Sequence, residues 1–155
     1  MTELTAVARR TDQAVADARA ELVRAVRRAS AQGMSQVQIA RQIGRSQPEV
    51  SRLLHFHGGT PLARRLRRQA PEVRRIIGEA GGSRVRVFGS VDVGSDTEES
   101  DIDLLFTMDE PLSLMQLNAL SDRIGALLGA SVDLVPDTAL SPPLGDRILA
   151  EAVSL

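Results

Sequence analysis

The chain of 155 residues contains no cysteine, no tryptophan and no tyrosine, and every one of its nineteen basic residues is arginine rather than lysine. Without cysteine there is no disulfide scaffold, no thiolate metal site and no cysteine nucleophile, and a reducing cytoplasm is the expected location. Aromatic side chains are limited to Phe56, Phe88 and Phe106. That argues against a single-strand nucleic-acid binder, which needs aromatic platforms for base stacking. No apolar run approaches the roughly 20 residues that cross a bilayer, so no membrane association is expected. The opening Met1-Thr2-Glu3-Leu4 lacks the basic region and apolar stretch of a secretory signal.

What is present is an uneven distribution of charge. The formal net charge is −1, yet residues 1–88 hold seventeen Arg against seven acids, for +10, and residues 89–155 hold two Arg against thirteen acids, for −11. A solvated surface usually mixes its signs, so the split suggests two jobs, with a polyanion as partner of the first half. The alternative is a dipolar chain whose halves attract each other.

Residues from Leu4 to about Ala31 contain neither Gly nor Pro. Leu4, Val7, Thr11, Val15, Ala18, Leu22, Ala25 and Ala29 recur at steps of three or four, which predicts one apolar stripe on a long helix. Ser35 is placed to cap a short helix ending at Gly44, and another opens at Ser46, tolerates Pro48 in its first turn and runs to about Phe56. Gly58-Gly59 is the clearest break, and it divides the chain into residues 1–58 and 60–155. A helix begins at Thr60-Pro61 and restarts at Pro71-Glu72. Val85 to Phe88 alternates as a strand does, Ile102 to Met108 is a second strand, and Ser131 to Val135 a third. Residues 112–128 and 144–153 are helical. The class is therefore α+β: an all-α N-terminal bundle followed by a small α/β unit with a short mixed sheet.

Between Gln36 and Leu54, a helix of about eight residues, a Gly turn and a second helix follow in close order. Ala40 is small where the helices would cross, Gly44 permits a left-handed turn, and Ile39, Ile43, Val50, Leu53 and Leu54 supply a buried face. This layout resembles the lambda-repressor-like (Cro-type) helix-turn-helix over some 20 ungapped residues, with Arg45 where an aliphatic residue is more usual. The resemblance implies a second helix lying in the major groove of operator DNA. Gln47, Ser51 and Arg52 then face outward, Arg52 suited to guanine and Gln47 to adenine, while Gln36, Arg45 and Ser46 are placed for phosphates. Such a module favours a homodimer. A plain helical hairpin is the competing reading.

Arg64, Arg65, Arg67, Arg68, Arg74 and Arg75 form a basic patch opposite Leu62, Leu66, Ala70, Val73 and Ile77. It is either a solvated face, an extra phosphate contact or a surface for an acidic partner. His55 and His57 flank Phe56 and, without a third ligand nearby, suit a linker or cap better than a metal.

The chemistry is concentrated later. Gly89-Ser90 follows directly on the first strand, and Asp101-Ile102-Asp103 opens the second. Residues i and i+2 of a strand share a face, so Asp101 and Asp103 stand side by side while Ile102, Leu104 and Phe106 turn to the core. Adjacent carboxylates stay ionised cheaply only with a cation between them, and oxygen ligands suit Mg²⁺. Asp133 offers a third carboxylate on a neighbouring strand, and a Gly-Ser turn offers donors to a phosphate. These parts suit metal-assisted phosphoryl or nucleotidyl transfer; an acidic edge strand that prevents sheet pairing is the bland alternative.

Phe88-Gly89-Ser90 followed by Ser100-Asp101-Ile102-Asp103-Leu104-Leu105, with ten residues between Ser90 and Asp101, resembles the signature of the minimal nucleotidyltransferases of the DNA polymerase β superfamily. The likeness extends over some 95 residues, from about Pro61 to Val153. It implies Mg²⁺ held by Asp101, Asp103 and Asp133, Gly89 and Ser90 on the phosphates of ATP or another NTP, and in-line attack of a hydroxyl on the α-phosphate with loss of pyrophosphate. It also implies Asp133 as acceptor of the hydroxyl proton. Similar proteins act as antitoxins that transfer AMP to a partner toxin, commonly a HEPN ribonuclease, so a toxin–antitoxin role with operator autoregulation is the expectation. One departure stands out: family members often carry an Arg soon after Gly-Ser. Here no base lies between Ser90 and Asp103, and Asp92, Asp96, Glu98 and Glu99 occupy the loop. Arg86 or Arg123 would have to supply positive charge. A second reading is a transcriptional regulator whose nucleotidyltransferase fold carries no chemistry.

Overall fold

The computed structural model describes residues 2–56 and 58–155. Helix α1 (Glu3–Ala31) is capped by Thr2, whose hydroxyl accepts from the Thr5 amide at 3.2 Å. Its 29 residues span roughly 43 Å at 1.5 Å per residue. The expected stripe is not the buried one. Leu4, Val7 and Val15 are 79%, 41% and 64% exposed, and the residues that α1 buries are Ala20, Val23, Val26 and Arg27. The partners of α1 sit against its C-terminal half, and the face they select includes an arginine, which a count of apolar spacing passes over.

Helices α2 (Gln36–Ile43) and α3 (Gln47–Leu53) form as their caps dictate. Ser35 and Gln38 make a reciprocal capping box, Gly44 ends α2 at φ 66°, and the Ser46 hydroxyl accepts from the Glu49 amide to start α3. Ile39, Ala40, Val50 and Leu53 pack with Ala20, Val23 and Val26 into one apolar cluster, with Ile43 and Leu54 half-buried against it.

Helix α4 (Pro61–Glu79) runs unbroken through Pro71 rather than restarting there. Pro71 is exposed, and Leu62, Leu66 and Ala70 before it share a buried side with Val73, Ile76 and Ile77 after it, so one core holds both halves in line. That side covers a four-stranded mixed sheet ordered β3-β2-β1-β4. Strand β1 (Gly82–Phe88) pairs antiparallel with β2 (Ile102–Met108), which pairs parallel with β3 (Val132–Pro136). The register of β1 shifts near Arg84, at φ 50°. Between β1 and β2 lies a five-residue helix, α5 (Gly89–Val93), where a simple turn was expected. Helix α6 (Leu114–Leu128) and helix α7 (Leu144–Glu151) follow, and the chain ends in a short strand that the sequence pattern did not mark, β4 (Val153–Ser154), antiparallel to β1. Among the described residues no helix is long and apolar enough to cross a membrane.

Candidate active site

The site lies where the N-terminal ends of β2 and β3 meet the start of α5. In the ladder Asp103 is opposite Asp133 on one side and Phe88 on the other. Both acids therefore lie on one sheet face, next to the residue that precedes Gly89. Ile102, Leu104 and Phe106 alternate with them and are fully buried, which pins the register. Asp101 stands one residue before β2 and is exposed, as is Asp133, while Asp103 is half-buried.

Gly89 has φ 76°, a conformation natural to glycine, and a Cβ built there would overlap the Asp103 carboxylate. The backbone that opens α5 is thus pressed onto the acid at the centre of the site. Burial, then the charge of Asp133, then that of Asp101, pushes the Asp103 carboxyl up to about 6. Asp103 feels both neighbouring carboxylates with no counter-charge among those causes.

That shortage of positive charge and the all-oxygen donor set fit Mg²⁺. Among the described residues, however, no group of three His, Cys, Asp or Glu is already gathered tightly enough to cage a metal. The two arginines considered as sources of charge are otherwise engaged: Arg86 pairs with Asp137 at 3.3 Å and Arg123 with Glu79 at 3.2 Å.

The acidic loop resolves into distinct roles. Asp92 is 3% exposed and ion-paired with Arg27, itself 3% exposed. Asp96 accepts from the hydroxyl of Thr60, the cap of α4, at 2.9 Å, and burial pushes its carboxyl up. Glu98 and Glu99 are exposed. The Arg27–Asp92 pair joins residues 65 apart in sequence, and no local motif signals it.

The residues expected to face DNA differ in exposure. Arg45, Ser46, Gln47 and Arg52 are exposed, and Gln36 and Ser51 half-buried. Arg19, Arg45, Glu49, Arg52 and Leu53 line one cleft of about 360 Å³, so α1 adds a basic residue that the motif did not include. The α4 arginine run divides. Arg65 and Arg74 donate to the Leu128 and Leu155 carbonyls and Arg75 pairs with Glu72 and Glu79, and Arg65 also lines, with Arg64, Arg67 and Arg68, a concavity of about 570 Å³. His57 lies outside the described residues, and the ring of His55 is hydrogen-bonded to the Ser51 carbonyl at 2.6 Å.

Residues 66–155 match the family model described as the nucleotidyltransferase domain. The chain belongs to that family. Over 69 residues, 44% of the chain, it is 38% identical to the protein adenylyltransferase MntA of Thermococcus cleftensis, of which 70% is covered. A solved structure described as a minimal nucleotidyltransferase candidate superposes with a TM-score of 0.56 at 36% identity, covering 64% of this chain and all of that one. A toxin–antitoxin solved with AMP-PNP superposes with a TM-score of 0.50 at 20% identity over 54% of this chain and 69% of that one, a likeness of fold. The nucleotidyltransferase family fold thus occupies the part of the chain that carries Gly89, Ser90, Asp101, Asp103 and Asp133.

Proposed function

We propose that this nucleotidyltransferase moves AMP from ATP to a hydroxyl on a partner toxin, and that its first 58 residues bind operator DNA. The observation that carries the enzymatic reading is the lateral pairing of Asp103 with Asp133 against the glycine that opens α5. Gly89 and Ser90 receive the phosphates of the nucleotide. Asp133, exposed at the edge of the acidic face, takes the proton of the acceptor hydroxyl, whose oxygen forms a bond to the α-phosphorus as the bond to the pyrophosphate oxygen breaks. Asp101, Asp103 and Asp133 would hold Mg²⁺, which would supply the neutralisation of phosphate charge that this acidic face cannot. The half-buried Asp103 is held in place by its strand neighbours, which keeps the carboxylate face oriented without reorganisation during the reaction.

The DNA reading assigns base contacts to Gln47, Ser51 and Arg52 and phosphate contacts to Gln36, Arg45 and Ser46, in a homodimer acting in the cytoplasm. The net +10 of residues 1–88 supports it. The AMP-transfer reading is supported by the Thermococcus relative, which is named a protein adenylyltransferase, and the toxin–antitoxin context by the family resemblance.

The decisive experiment incubates the chain with Mg-ATP and the product of the neighbouring gene. Added nucleotide mass on that partner, lost on Asp101→Ala with Asp103→Ala, is expected. No added mass, or transfer that survives both substitutions, overturns the enzymatic reading. The loop without a base and the engaged Arg86 and Arg123 favour a second reading, a regulator that binds nucleotide without turnover. Binding of Mg-AMP-PNP with no transfer to the partner selects it.

A further inference from the structure

Arg27 projects from α1 into the seam between the two apolar clusters and is almost wholly buried. Its Nε donates to the Leu53 carbonyl at 3.0 Å and its Nη2 to the His55 carbonyl at 3.1 Å, both at the C-terminal end of α3. Its Nη1 donates to the Asp92 carboxylate on α5 and to the Glu151 carbonyl at the end of α7, at 3.2 Å. The last carbonyls of a helix have no partner within the helix, so Arg27 acts as a remote cap of α3, with its charge at the favourable end of the helix dipole.

Helix α5 has little slack. Four of its five residues occupy distinct environments in succession: Gly89 lies against Asp103, Val91 belongs to the core under the sheet, Asp92 holds Arg27, and Val93 is buried in the cluster of α1, α2 and α3. A guanidinium is planar and its donors form a fixed fork. A shift of α5 that moves Asp92 therefore tilts the plane and alters the bonds to Leu53 and His55 together.

We infer that Arg27 is a positioning residue through which a nucleotide held at Gly89-Ser90 and DNA held by α3 alter each other's affinity. The inference rests on both site assignments made above, and goes beyond them by making the two occupancies interdependent. Coupling between two sites is reciprocal, so the effect is readable from either side.

The test uses the full chain and a fluorescent duplex carrying the sequence upstream of its own gene, titrated with and without saturating Mg-AMP-PNP. The duplex affinity of the wild type is expected to change by about five-fold or more on adding nucleotide, the low end of typical coupling between sites. Asp92→Asn, which keeps the shape and an acceptor, and Arg27→Lys, which breaks the fork, are expected to bind each ligand alone and to lose most of that change. Hydrogen exchange of the amides from Ser51 to His55 in the wild type should also respond to nucleotide, and this readout does not depend on any variant folding. If both ligands bind the wild type and neither the duplex affinity nor that exchange changes, the inference is overturned while the site assignments stand. If one ligand fails to bind the wild type at all, that site assignment falls and the inference falls with it.

Discussion

Gly89 lies so close to the Asp103 carboxylate that a single added carbon would overlap it. The Gly-Ser turn and the acidic face are thus one packed unit, although the two residues are separated by a helix and a loop. Gly89→Ala is expected to displace Asp103 and to strain a backbone at φ 76°, with a stability loss of about 1–3 kcal/mol and a large loss of transfer. Gly94→Ala is the control: its φ is 81° but nothing stands within 4 Å of the added carbon, so it bears the strain alone. Chemical denaturation of both variants beside a transfer assay checks this; equal losses of transfer would show that the Gly89–Asp103 contact has no special role.

Asp103→Asn removes the central charge of a carboxylate group that lacks a counter-charge. Stability in the absence of metal should rise by up to about 1 kcal/mol, while nucleotide transfer should fall by about 100-fold or more, as expected for a preorganised charged group. Thermal melting in a chelator, set against partner labelling with Mg-ATP, measures both. A destabilised variant would mean that the acid is a structural partner rather than a ligand held ready.

Much of this architecture was legible in the sequence because the determinants are local. Ser35, Gly44 and Ser46 each govern a chain direction within three or four residues of themselves, and the α2–turn–α3 hairpin follows from them. The strand at Ile102–Met108 was equally plain, since its alternation separates Asp103 from fully buried neighbours. What could not be read depended on distant parts of the chain. The buried face of α1 is chosen by α2, α3, α5 and α7, and includes Arg27, whose four acceptors are 26 to 124 residues away. The charge of Asp92 looked like an excess in an acidic loop because its partner lies on the first helix. Strand β4 comprises two residues, too few to show a period, and exists because β1 offers it an edge.

Asp92 also gives the fold a pH dependence with a definite sign. Burial pushes its carboxyl up to about 7, against the opposing pull of Arg27. The folded chain therefore holds this proton more tightly than the unfolded chain, where an aspartate titrates near about 3.9. The stability that the group contributes is fully present below that lower value and is lost as pH rises through about 7. Urea denaturation at several values between pH 5 and 8 should show stability declining across this window, and Asp92→Asn should flatten the decline. An identical slope in the variant would exclude Asp92 as the titrating group.

Under the proposed DNA-binding role, Ser46 and Arg52 would separate folding from recognition within one short helix. The Ser46 hydroxyl caps α3 by accepting from the Glu49 amide at 3.3 Å, so Ser46→Ala should lower stability by about 1 kcal/mol and weaken DNA binding partly through a frayed helix start. Arg52 is exposed, its Nε donates to the Pro48 carbonyl at 3.3 Å, and it lines a cleft with Arg19 and Arg45. Arg52→Ala should leave the melting temperature nearly unchanged, weaken operator binding by about 1–3 kcal/mol and relax base preference at one position. Gel shifts across a salt series discriminate the roles. Loss of affinity that is uniform over all base substitutions would make Arg52 a phosphate contact, and an unchanged shift would remove α3 from the groove altogether.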